Sequence, residues 1–180
     1  MRIIAGRFKS RKINSDASCV YKSTNGYRPT TDRARETMFN VLENKFDFEA
    51  VKALDLFAGT GSLGFESLSR GAKSCVFVDR SFRNLSLIKR TANELGCENE
   101  VEVVKSEVLA FFNSCYEKFD IVFADPPYNY EEYGSLMNKI NNLSFRIFVL
   151  EYSQKLDDKI ESKEVINKAV GISKFKIFIR

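Results

Sequence analysis

The chain has 180 residues, 44% of them hydrophobic, with a formal net charge of +4. That length suits one domain with a sizeable core, and no apolar run nears the roughly 20 residues that span a bilayer, which excludes a helical membrane protein. There is no histidine, which excludes Ser-His-Asp and Cys-His catalysis and any histidine-held metal.

From the start, "MRIIAGRFKSRK" is too charged, and its apolar part too short, for a signal peptide; a soluble cytoplasmic protein is expected. Residues 2–13 read as two short strands around "GRFKS", a small N-terminal β-hairpin. Residues 14–29 form a polar loop with turn signals at Asn25-Gly26 and Arg28-Pro29. Thr30, Thr31 or Asp32 caps a helix to about Asn44, whose apolar face is Ala34, Met38, Val41 and Leu42. Strands and helices then alternate. Strands are expected at 51–57, 73–79, 100–105, 119–124 and 145–152. Between them lie helices near 62–70, from Ser81 to Gly96, around Leu109 and Phe112, and near 131–141. The last segment, 162–180, reads as two strands. Five alternating strands argue for a mostly parallel sheet covered on both faces, with an antiparallel hairpin at one edge. The cysteines Cys19, Cys75, Cys97 and Cys115 form no C-x-x-C pair, and reduced thiols are expected.

The charge is uneven. Residues 1–35 hold nine basic side chains against Asp16 and Asp32, a local excess of +7. A basic arm on a near-neutral body points to a polyanionic partner. The chain therefore divides into a basic hairpin and loop, 1–30, and a main domain, 31–180.

The motif "ALDLFAGTGSLGFE" carries G-x-G-x-x-G at Gly59, Gly61 and Gly64, after a strand and before a helix. Glycine there permits close approach of backbone to ligand. Asp55, at the carboxyl end of the strand, would repel a pyrophosphate and suit a positive group such as an ammonium. Asp79 ends the second strand, where it can accept ribose hydroxyls, and Glu107 follows the third, where it can accept an adenine amino group. Gly64 is expected to serve helix packing. Asp125-Pro126-Pro127-Tyr128 ends strand four, where open α/β sheets bind ligands. Two prolines fix the turn and remove two N–H donors. The Asp125 carboxylate and the Pro126 carbonyl then form an acceptor pair for an exocyclic NH₂, and Tyr128 offers a face for base stacking.

Together "DLFAGTG", "FVD" and "DPPY" resemble the amino-methyltransferases that use S-adenosylmethionine. "MRIIAGRFKSRKI" and "RPTTDRARETMFNVL" are similar to the bacterial family that methylates a guanine N2 amino group in 16S ribosomal RNA. The likeness covers essentially the whole chain. It implies a Rossmann-like class I fold, a mostly parallel seven-stranded sheet whose seventh strand is antiparallel. It implies S-adenosylmethionine as cofactor and 16S rRNA, in a small ribosomal subunit or its assembly intermediate, as partner. On these positions Asp55, Phe57, Gly59, Gly61, Asp79, Arg80 and Glu107 would hold the cofactor; the family often has aspartate where Glu107 stands. Asp125, Pro126, Pro127 and Tyr128 would carry the reaction. Arg28, Arg33 and Arg35 are the first candidates for RNA contact, with Arg7, Lys9, Arg11 and Lys12 next. No metal is expected, and the protein would act as a monomer. The rival readings are a DNA adenine-N6 or cytosine-N4 methyltransferase, an NAD-dependent oxidoreductase, and a non-catalytic RNA-binding assembly factor.

Overall fold

The computed structural model describes residues 1–15, 32–152 and 160–180. Arg28, Cys19, Thr30, Thr31 and most of the polar loop lie outside them. Helix α1 (Asp32–Glu43) leads into β1 (Lys52–Leu56), α2 (Ser62–Ser69), β2 (Ser74–Asp79), α3 (Phe82–Leu95), β3 (Val101–Lys105) and the short α4 (Val108–Phe111). Then follow β4 (Ile121–Ala124), α5 (Tyr133–Asn141), β5 (Ile147–Glu151), β6 (Glu164–Val170) and β7 (Ser173–Ile179). The strands form one seven-stranded sheet in the order β3-β2-β1-β4-β5-β7-β6. Strands β1 to β5 are mutually parallel, and β7 runs antiparallel to both its neighbours. The Rossmann-like expectation holds. The antiparallel strand β7 lies one place inside the edge, because the closing hairpin folds back and leaves β6 outermost.

Strand alternation sorts the core into two layers. Ala53, Cys75, Phe77, Ile121, Phe123, Ile147 and Val149 face one way, against residues of α1, α2 and α3. Leu54, Leu56, Val76, Val78, Val122, Phe148 and Leu150 face the other, against α4 and α5. Ala34, Met38 and Leu42 of α1 are buried as their spacing predicts, and Phe39 joins them, 5.7 Å from the rings of both Phe48 and Phe123. On α4 the buried pair is Val108 and Phe111 rather than Leu109 and Phe112. Ser81 caps α3 by accepting the Asn84 N–H at 3.3 Å, and Gly96 ends it at φ 70. Cys75, Cys97 and Cys115 are free thiols. No helix among the described residues is long and apolar enough to cross a membrane.

The expected hairpin reduces to a single bridge, Arg2 to Lys12. Gly6 and Ser10 take left-handed φ of 77 and 67, which breaks the ladder. The Ile3, Ser10 and Ile13 N–H groups still donate across the arm, to the Arg11, Ile3 and Met1 carbonyls at 3.0, 2.9 and 3.1 Å, while amides between them bond to the domain. Ile4 and Ala5 N–H groups donate to the Glu66 carboxylate at 2.9 and 3.1 Å, and Arg7 N–H donates to the Ser69 carbonyl at 2.7 Å. Ile3 and Ile13 are buried in the same core layer as α1, α2 and α3.

Candidate active site

Strands β1 and β4 are neighbours, and the chain builds outward from them in opposite directions. The crevice beyond their carboxyl ends is the topological switch point, where this architecture binds ligands. Asp55 of β1, Asp79 of β2 and Asp125 just past β4 all reach it.

The glycine loop is held open by its backbone. Phe57, Gly59 and Gly61 all have positive φ, 59, 56 and 78. For Phe57 that conformation is strained, of the kind that clusters at functional sites. The loop is pinned to β2 by the Ala58 N–H, which donates to the Val78 carbonyl at 3.0 Å, and by the Gly59 N–H, which donates to Asp79 Oδ2 at 2.8 Å. A Cβ on Gly59 would meet nothing closer than 3.8 Å, so this glycine faces open space. A Cβ on Gly61 would crowd Phe77, Phe65 and Ile88 at 2.9 to 3.1 Å, and one on Gly64 would strike the Phe77 ring at 2.2 Å. Gly64 thus lets α2 lie against β2, as the sequence suggests, and Gly61 shares that packing role.

Asp55 is 2% exposed. Its Oδ2 accepts the Gly64 N–H at 2.9 Å, and no cation pairs with it among the described residues. Burial pushes its carboxyl well above the ordinary carboxylate value; the Gly64 N–H opposes this, and the charges of Asp125 and Asp79 add to it. A buried carboxylate in a field of two more is a receptor for a cation. The cationic methionine end of S-adenosylmethionine fits it; a pyrophosphate does not.

Asp79 does more than the sequence suggests. Its Oδ1 accepts Ser81 N–H at 2.7 Å, and its Oδ2 accepts Gly59 N–H and Asn84 Nδ2 at 2.8 and 3.1 Å. Three of about four acceptor positions on a carboxylate are then used. The remaining one, on Oδ1, suits a single ribose hydroxyl rather than two. Arg80 and Glu107 face each other at 3.8 Å, with side chains 73% and 68% exposed, at the rim beside β2 and β3.

In the D-P-P-Y turn Asp125 and Pro127 are half-buried, Pro126 is buried and Tyr128 is 43% exposed. The Pro127 carbonyl accepts the Tyr130 N–H at 2.8 Å, whereas the Pro126 carbonyl accepts no hydrogen bond among the described residues. Tyr130 is not singled out by the sequence, and the one signal of it there is that it is the second aromatic in "PPYNY". Its ring meets Phe57 edge-on at 5.0 Å and Tyr133 at 5.3 Å, so it joins the glycine loop to the D-P-P-Y turn. Burial, with Glu132, Tyr133 and Glu107, pushes its phenol up to about 12 and keeps it neutral.

The basic residues of the arm do not gather at this crevice. Arg7 pairs with Glu100, next to the amino end of β3, and Arg11 donates to the Glu94 carbonyl near the end of α3. Both lie toward the amino end of β3, whereas the crevice opens beyond the carboxyl ends of β1 and β4. Lys9, Lys12 and Arg33 are exposed. Arg35 is corrected: its side chain is fully buried, 3.7 Å from Glu66, and donates to the Arg2 carbonyl at 2.5 Å and to Asp32 at 3.0 Å. It binds the arm to α1 and α2 and is out of reach of a phosphate. Its spacing of three, four and seven residues from Met38, Phe39 and Leu42 puts it on the buried face of α1, but that spacing does not disclose its partner Glu66, which lies on another helix.

The family model described as Conserved hypothetical protein 95 matches residues 1–179. Ribosomal RNA small subunit methyltransferase D of Haemophilus influenzae is 32% identical over 187 residues, covering 99% of this chain and 93% of that protein. The solved structure of yhhF from Escherichia coli has a TM-score of 0.85 at 26% identity, covering 100% of this chain and 97% of that one. Magnesium protoporphyrin IX methyltransferase from Synechocystis PCC 6803, solved with S-adenosylmethionine bound, shares the fold at a TM-score of 0.66 and 16% identity, with 82% of this chain and 78% of that one covered. The whole length of this chain, arm and domain alike, thus belongs to the ribosomal RNA small subunit methyltransferase D family.

Proposed function

We propose that this chain transfers a methyl group from S-adenosylmethionine to the exocyclic N2 amino group of a guanine in 16S ribosomal RNA. The observation that carries this reading is Asp125, held by two prolines at the end of β4, in the same crevice as the carboxylates of Asp55 and Asp79. The family name supports rRNA as the substrate class.

When bound, S-adenosylmethionine supplies a methyl group on a positively charged sulfur, an electrophile that needs little acid–base help. The protein's task is alignment and charge complementarity. Asp55 would hold the ammonium, Asp79 a ribose hydroxyl, and the rim at Arg80 and Glu107 the adenine. Asp125 and the Pro126 carbonyl would accept the two amino hydrogens of the guanine and orient the nitrogen lone pair. Asp125 would take the proton released as the new C–N bond forms. Tyr128, exposed at the turn, would stack on the base, which is worth about 1–3 kcal/mol. A guanine within a stack must first leave it, at a cost of a few kcal/mol.

The test offers labelled S-adenosylmethionine with free 16S rRNA, 30S particles or DNA, and identifies the labelled nucleoside. N2-methylguanosine from RNA is expected. Labelled adenine or cytosine in DNA, or no transfer at all, overturns the reading. Asp125→Ala should lower the methylation rate by about 10²–10³-fold or more, the usual loss on removing one aligned polar group, with cofactor affinity near wild type. Retained activity removes Asp125 from the mechanism.

A further inference from the structure

The arm's Arg7 and Arg11 lie by the amino end of β3, and the D-P-P-Y turn lies beyond the carboxyl end of the central strand β4, so an RNA that meets both runs from one end of the strands to the other. Helix α3 connects the two. At its start, Ser81 N–H bonds to Asp79 in the crevice at 2.7 Å. At its end, the Glu94 carbonyl accepts Arg11 Nη2 at 2.6 Å, and Asn14 bonds to Thr91 and to the Glu94 carboxylate at 3.0 and 2.8 Å. Its 14 residues span about 21 Å.

The outer face of α3 presents Phe82, Arg83, Ser86, Lys89, Arg90 and Asn93, all exposed. The run from Arg80 to Asn93 contains four basic residues and no acidic one. By contrast, the exposed side of α1 mixes Asp32, Arg33, Glu36 and Glu43. The Arg90–Glu94 pair, 2.9 Å apart with side chains 69% and 45% exposed, is a surface contact that little opposes a phosphate. Phe82, at the crevice end, is 72% exposed. A large aromatic left in water beside arginines is a stacking platform for a nucleobase.

We propose that the outer face of α3 is an RNA track. Arg83, Lys89 and Arg90 hold backbone phosphates between the arm and the crevice, and Phe82 stacks on a nucleotide flanking the target. The proposal rests on the reading of an RNA substrate and adds the surface that receives it.

The test substitutes Arg83, Lys89 and Arg90 together by Gln, which keeps helix propensity. A control removes the same charge from the far hairpin, with Lys163, Lys168 and Lys174, all exposed, changed to Gln. Methylation of 30S particles and of free 16S rRNA is followed over a salt series, with cofactor affinity measured in parallel. The track variant should raise KM for RNA by about tenfold or more and flatten the log–log salt slope by roughly 2–3, the share of three phosphates. Its kcat at saturating RNA and its affinity for S-adenosylmethionine should not change, and the control should move neither KM nor slope. Phe82→Ala should raise KM without altering the slope. An unchanged KM and slope in the track variant overturns the proposal, as does a control that shifts them equally. In both cases wild-type labelling of rRNA leaves the functional reading intact. If the wild-type protein labels no rRNA, the reading itself fails and takes the track with it.

Discussion

Asp55 sits 2% exposed at the base of the crevice, and burial pushes its carboxyl well above the ordinary 3.8. The unfolded chain ionises this group first, so between the ordinary and the raised value the native state holds the extra proton. Stability contributed by Asp55 is therefore lost as pH rises through that window. Asp55→Asn keeps an acceptor for the Gly64 N–H and removes the charge. It should raise Tm near pH 7, the gain shrinking toward pH 4, while cofactor binding is lost. Thermal melts across pH check this, and a lower Tm at neutral pH would contradict it. The sequence marks Asp55 by its place at a strand end four residues before Gly59. Its depth is not legible there, because burial depends on β2 and β4 closing over both sides. The same holds for Asp79, whose bonds to Gly59 and Asn84 form only once the loop and α3 are in place.

The arm, α1 and α2 meet at one buried carboxylate. Glu66, fully buried, accepts the Ile4 and Ala5 N–H groups, pairs with Arg70 Nε at 3.0 Å and lies 3.7 Å from Arg35 Nε. The 3.6-residue period places Arg35 on the buried face of α1 but has no means of pairing charges between helices, and the assignment of Arg35 to RNA follows its charge alone. The sequence reads the arm as a hairpin, which holds where the Ile3 and Ile13 N–H groups bond to Arg11 and Met1, but strand-like alternation does not say that the amides of Ile4, Ala5 and Arg7 bond to α2. Glu66→Ala should destabilise the protein by about 3–5 kcal/mol, since it strands a buried guanidinium; urea unfolding measures this. The same variant should expose Arg7 and Lys9 to rapid tryptic cleavage. An arm that stays protected would show that the two buried isoleucines, Ile3 and Ile13, hold it without Glu66. Deleting residues 1–13 removes packing as well as charge, so point changes at Lys9 and Lys12 report on RNA binding more cleanly.

Topology was the most legible level. Each of the first five strands lies within two residues of its expected span at either end, because long apolar runs set off by glycine and helix caps carry the parallel sheet in local pattern alone. What that topology does is bring Asp55, Asp79 and Asp125, from three different strands, to one crevice. Their mutual repulsion is a property of the folded molecule, and a cationic ligand relieves it. Binding of S-adenosylmethionine should favour the ionised form of Asp55 and release its proton. Affinity should then rise with pH through the raised value of Asp55, so the gain in Tm at a fixed ligand concentration should be larger at about pH 8 than at about pH 5. Isothermal titration in buffers of different ionisation enthalpy should show the proton leaving as the ligand binds. Asp55→Asn should flatten the pH dependence along with the affinity. A gain in Tm that is equal at both pH values, with no buffer dependence, would mean that Asp55 is already ionised in the free protein and that the cation is held mainly by Asp125 and Asp79.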